Sequence, residues 1–159
     1  MKKLIFCLAA AIMLISAGCR SNQNVSSTYA AYHFGTTCMN DNLDGTYDLR
    51  AFGTGNNKAS ATAQAMKNAV NAVIFNGFEF GGKTIYPVLN EMNAREKYSE
   101  YFNRFFSNNG PYRNFVREKS SKDSSRIKSD NNSRENYGMI LVVDRAALQR
   151  QLKNDHILP

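Results

Sequence analysis

The sequence predicts an α+β fold, a mainly antiparallel sheet with two to three helices packed on one face. Three observations carry that expectation. Residues Thr46 to Gly53 alternate as a strand does, an Ala-rich run from about Lys58 to Asn76 has the spacing of one helical face, and Tyr137 to Val143 is a short, strongly apolar run with a helical pattern directly behind it. The strands are separated mostly by turn signals rather than by helical crossovers, so neighbours should be antiparallel and the helices should gather on one side.

The chain has 159 residues and opens on Met1-Lys2-Lys3, followed by an uncharged apolar run from Leu4 to Ile15. A positive start and about a dozen apolar residues make an export signal, whereas a spanning helix needs roughly 20. Small residues Ser16, Ala17 and Gly18 then precede Cys19. This arrangement resembles the lipobox of bacterial lipoproteins, with Ser16 where that pattern prefers Leu. The resemblance implies cleavage after residue 18 and a lipid-bearing Cys19, which would hold the mature protein to a bilayer surface through several acyl chains. Arg20 is not the aspartate that retains such proteins in the inner membrane, so an outer-membrane protein facing the periplasm is expected. Residues 19–30, rich in Ser and Asn, read as the lipidated cysteine and a polar tether unable to form a core. Residues 31–159 read as one α+β domain.

Removing residues 1–18 takes two lysines and no acids from 20 basic and 13 acidic residues, which leaves a charge near +5. Of the three cysteines, Cys7 leaves with the signal and Cys19 carries lipid, so Cys38 stands alone and forms no intramolecular disulfide.

Within the domain, Tyr32 to Met39 has strand composition, and Asn40 to Gly45 is a dense turn signal. The next strand places Tyr47, Leu49 and Ala51 on one side and Thr46, Asp48, Arg50 and Phe52 on the other. Gly53-Thr54-Gly55 ends it. The helix from about Lys58 to Asn76 carries Ala65, Met66, Ala69, Val70 and Val73 on its inner face, with Asn56 or Asn57 as cap and Gly77 beyond its end. Gly81-Gly82 marks a turn, and Thr84 to Val88 a short edge strand limited by Pro87. A second helix is predicted from about Ala94 to Ser107, with Asn93 and Glu96 at capping-box spacing. The segment 113–128 is the most basic part of the chain, through Arg113, Arg117, Lys119, Lys122, Arg126 and Lys128. Folded as a hairpin it would set several of these cations on one face, suited to an anionic glycan, a lipid head group or an acidic partner. Asp144 then caps a last helix, about Arg145 to Lys153, with Leu148 and Leu152 inward.

Two motifs invite chemistry and are better read as structure. Gly53-x-Gly55 between strand and helix has the beginning of a phosphate cradle, but Lys58 stands where the third glycine of a dinucleotide fingerprint belongs. Tyr98, Tyr101, Phe102, Phe105 and Phe106 form an aromatic stripe at helical spacing, the pattern of a core face. The sequence holds no nucleophile elbow, no histidine pair at metal spacing and no cysteine cluster, so no catalytic residue, metal or cofactor is assigned and no enzyme is expected. The envelope address argues against nucleic acid as a partner.

The runs Asp44-Gly45-Thr46-Tyr47, Ala51-Phe52-Gly53-Thr54-Gly55, Lys67-Asn68-Ala69-Val70, Asn93 to Tyr98 and Gly110-Pro111-Tyr112 look like those of a group of uncharacterised lipoproteins of Bacteroidetes-type envelopes. The likeness spans nearly all of the mature domain. More loosely, a strand ending in Gly-x-Gly before an Ala-rich helix resembles the small α/β domains of lipoproteins attached to bacterial envelope machinery. The expected function is a lipid-anchored, non-enzymatic binding or assembly module that contacts another envelope protein; the alternative is a lipoprotein that binds an anionic glycan or lipid through segment 113–128. Neither likeness supplies a site residue beyond Cys19.

Overall fold

A computed structural model describes residues 35–119, 125–127 and 135–159. The signal segment, Cys19, the tether, Lys122 and Lys128 lie outside the described residues. The fold is α+β. Strand β1 (Thr37–Asp41) pairs antiparallel with β2 (Thr46–Gly55), and β2 pairs along its whole length with β7 (Glu135–Asp144). The far edge of β7 takes two short strands in turn, β5 (Val116–Glu118) opposite Leu141–Val143 and β6 (Ser125–Ile127) opposite Asn136–Gly138. A separate two-stranded hairpin joins β3 (Phe78–Phe80) to β4 (Lys83–Ile85).

The central position of β7 follows from its composition. Met139, Leu141 and Val143 point into the core, and Gly138 and Val142 on the opposite face are also buried. A strand apolar on both faces is stable only between neighbours. On β2 the alternation holds on the core side, where Leu49 and Ala51 are fully buried. The opposite side departs from it, because Asp48 is only 2% exposed.

Helix α1 (Lys58–Asn71) lies across the core face of β2 and β7 and buries Ala61, Ala65, Ala69 and Val70. Its cap is Asn57, whose side chain accepts from the Ser60 amide at 2.9 Å while the Ser60 hydroxyl accepts from the Asn57 amide at 3.2 Å. The predicted helix to Asn76 changes character at Ala72, where Ala72–Asn76 widens into a π-turn closed by Gly77 at φ 69°. Widening frees carbonyls in the last turn, and the following chain uses them. The Val88 amide donates to Val73 O at 3.0 Å and the Leu89 amide to Ile74 O at 2.9 Å. That docking replaces the expected strand at Thr84 to Val88, which ends at Ile85.

The strand ends at Gly55 as expected, but Gly53 and Gly55 are more than punctuation. They lie within β2, where α1 comes closest. A Cβ on Gly53 would stand 1.9 Å from Ala61 O and 2.5 Å from Ala65 N, and one on Gly55 would stand 2.5 Å from Ala61 N. Glycine here is a condition for backbone-to-backbone contact between helix and strand.

The predicted second helix is broken. Tyr98, at φ −109° and ψ 27°, separates α2 (Ala94–Lys97) from α3 (Ser99–Phe105). No capping box forms, because Asn93 adopts the left-handed conformation (φ 59°) and makes no side-chain cap bond. Lys97 is instead tied to Glu91 by an ion pair. After a 3₁₀ turn (Pro111–Phe115) the chain enters β5. Helix α4 (Arg145–Asn154) follows β7 directly, its first turn capped by Asp144, which accepts from the Ala147 amide at 2.7 Å. Leu148 and Leu152 are fully buried in the same core as α1.

Candidate functional site

Of the predicted basic set, the described residues include Arg113, Arg117, Lys119 and Arg126, while Lys122 and Lys128 lie outside them. Segment 113–128 is no hairpin on itself, because β5 and β6 both pair with β7 along one edge. Arg113 lies in the 3₁₀ turn, away from the others, where its Nε donates to Asn108 O at 2.9 Å. Arg117 stands exposed on β5 opposite Val142, on the outer face of the sheet. Lys119 reaches over that face to Asp48. Arg126 occupies the β6 position opposite Tyr137.

The Asp48–Lys119 pair explains the buried carboxylate on an outward strand position. Asn42 Nδ2 also donates to Asp48 Oδ1 at 3.1 Å, so both carboxylate oxygens are satisfied. Burial is the largest influence on this group and disfavours its charge. The hydrogen bonds from Lys119 and Asn42, with the charges of Lys119 and Arg117, together outweigh burial and hold Asp48 below the usual carboxylate range. The pair pins the edge strand to β2 across β7. This is a fastening role, not an open site.

The aromatic stripe is core where it is most apolar. Phe102, Phe105 and Phe106 are buried and pack edge-to-face or stacked with one another. Tyr101 is half-buried and donates to Asp155 at 2.6 Å, an arrangement that, with burial, pushes its phenol up. Burial likewise raises the Cys38 thiol, partly offset by a bond to the Asn40 carbonyl. Among the described residues no three His, Cys, Asp or Glu side chains come together to hold a metal ion.

What the structure adds is a set of large apolar side chains left in water. Leu43 is 91% exposed at the tip of the β1–β2 connection, and Tyr86 and Met92, at 70% and 89%, flank the segment docked against the π-turn. Two of these positions are joined through the start of α4. Gly45 O accepts from the Ala146 amide at 3.2 Å, and Arg145 Nη2 donates to Tyr86 O at 3.2 Å. Beside Met92 runs a groove of about 410 Å³ floored by Phe75 and Leu89 and rimmed by Asn90, Glu91 and Arg95.

Leu43 is doubly unfavourable where it stands. Its φ of 62° is left-handed, a region that branched side chains rarely enter and that costs roughly 1–2 kcal/mol. Its neighbours fix it there. The Leu43 amide donates to Asp41 Oδ1 at 2.9 Å, and the Thr46 amide and hydroxyl donate to Asp44 Oδ1 at 2.9 and 2.7 Å. A sequence signal for this residue existed: a single apolar side chain inside the turn run Asn40 to Gly45 has no core to face. Met92, set between Glu91 and Asn93, carries the same signal.

No helix of the described residues is long and apolar enough to cross a membrane. Compared with known protein families, characterised proteins and solved structures, the chain matches none.

Proposed function

We propose that this protein is a lipid-anchored, non-enzymatic module of the bacterial outer membrane, facing the periplasm, that docks another envelope protein through its exposed apolar side chains at Leu43, Tyr86 and Met92. The observation that carries the reading is Leu43, a leucine held in left-handed backbone and almost wholly in water. Backbone strain and an exposed large apolar side chain at one rigid tip are arrangements that concentrate at contact sites. Tyr86 and Met92 supply the kinds of side chain that anchor interfaces, and both sit on chain fastened to the π-turn after α1.

The address rests on Ala17-Gly18-Cys19 and the apolar run before it. With about ten tether residues at roughly 3.3–3.6 Å each, the domain would work within some 30–40 Å of the bilayer. The partner is then in the membrane or close to it. Two experiments test the reading together. A Cys19→Ser variant should leave the membrane fraction as a folded protein; persistent attachment would end the lipoprotein assignment. A photo-crosslinker placed at Tyr86 or Met92 in living cells should give one discrete adduct with an envelope protein, absent when the crosslinker is at exposed Glu79. Equal adducts from all three positions would remove these exposed side chains as the docking surface.

A further inference from the structure

Lys67 on α1 and Arg113 on the 3₁₀ turn are brought together by the fold although 46 positions apart in number order are filled by other elements. Both hang on one residue, Asn108. Lys67 Nζ donates to Asn108 Oδ1 at 3.2 Å, and Arg113 Nε donates to the Asn108 carbonyl at 2.9 Å. Both also lie over one ring, the Lys67 ammonium 5.6 Å and the Arg113 guanidinium 5.5 Å from the centroid of Tyr112. None of the ion pairs among the described residues includes either cation. Two like charges held on a common residue without a carboxylate repel, and burial adds to the cost.

Beneath them Tyr112 is fully buried, and its hydroxyl is reached by the Arg113 side chain but makes no well-aligned hydrogen bond and has no acceptor for its own proton. A buried hydroxyl whose proton has no acceptor calls for an explanation, one of which is an ion or ligand. Arg113 is the charged group that acts on this phenol.

We infer that Lys67, Asn108, Arg113 and Tyr112 form a binding site for a phosphate-type oxyanion. The ammonium supplies a point charge, and the guanidinium supplies a planar fork matched to two oxygens. The Asn108 side-chain amide and the Tyr112 hydroxyl are the remaining donors, the latter gaining the acceptor it lacks. The site differs from the predicted basic face: of that set it uses Arg113 alone, and its second cation comes from a helix. It is independent of the exposed side chains at Leu43, Tyr86 and Met92. Burial and the Arg113 charge also lower the Lys67 pKa, so a bound anion should raise it.

The test uses the whole purified protein in maltoside detergent, titrated with inorganic phosphate while the Arg113 Nε and Asn108 side-chain amide signals are followed by NMR. Saturable shifts are expected, with a rise in the Lys67 pKa. Lys67→Met, which keeps the stem over the ring, and Arg113→Gln should each weaken binding about tenfold or more. Arg113→Lys, which keeps the charge and loses the fork, should weaken it less than Arg113→Gln does, and Arg50→Gln, an exposed cation on the outer sheet face, should change it less than about twofold. Phosphatidylglycerol doped into the micelle identifies the source: competition with phosphate at these signals points to a lipid head group, and phosphate binding without competition to a soluble phosphate compound. Non-saturating shifts, or equal weakening by Arg50→Gln, would overturn the site.

Discussion

Replacing Gly53 with alanine tests how the helix layer is seated. An added Cβ would lie 1.9 Å from Ala61 O, whereas ordinary contact begins at 3.4 Å, so α1 must retreat by about 1.5 Å or β2 must buckle. Neither obstacle is a movable side chain; Ala61 O and Ala65 N are helix backbone. Overpacking alone costs typically 1–3 kcal/mol, and a retreat of this size also opens space beneath the fully buried Ala61, Ala65 and Ala69. Together these give a loss of about 4 kcal/mol, a large share of the 5–15 kcal/mol by which a domain is stable. Urea unfolding followed by circular dichroism measures it. Gly35→Ala is the control, since a Cβ there meets nothing within 4 Å. A Gly53→Ala protein within about 1 kcal/mol of the parent would refute the close approach.

Two further outcomes follow from titrating groups. Asp48 is held low in the folded chain, so the unfolded chain binds its proton more readily; the stability this contributes is present above about pH 4 and is lost as pH falls further. Asp48→Asn should flatten that acid limb of the urea midpoint and cost about 1–2 kcal/mol at pH 7, and an unchanged limb would show that the Lys119 contact is not the cause. Cys38 is buried and its thiol is raised, so a disulfide-exchange reagent should modify it only in step with unfolding; rapid modification of the folded protein would contradict its placement in the core.

Much of the fold was legible because it is set locally. Asn57 caps α1 and Asp144 caps α4, as an acceptor side chain before a helical pattern predicts. Gly81 and Gly82, both at positive φ, make the hairpin turn between β3 and β4. The unbroken apolar run of β7 announced a central strand. What stayed hidden depends on distant partners. Asp48 looked like a solvent-facing strand residue because Lys119, which buries and neutralises it, is 71 positions away. Gly53 and Gly55 looked like chain punctuation because their reason lies in the approach of α1. The capping box at Asn93 failed because that residue turns left-handed to redirect the chain, and sequence spacing is blind to its φ. The partner of Arg113 was hidden for a related reason: the described cations of the basic segment are distributed between a 3₁₀ turn and the edge of β7, and Lys67, the cation that meets Arg113, sits on a distant helix.

The proposed docking surface was legible only as an anomaly. Leu43 breaks the polar pattern of its turn, and the structure shows that the turn holds it in a costly conformation without burying it. If that leucine serves contact and not folding, exchanging it for a residue suited to left-handed backbone should improve the fold and harm the function. Leu43→Asn measures both at once, through the urea midpoint of the purified protein and the crosslinked adduct formed in cells from Tyr86. The account predicts stability raised by about 0.5–1 kcal/mol and the adduct lost. A variant that is less stable than the parent and still forms the adduct would contradict it.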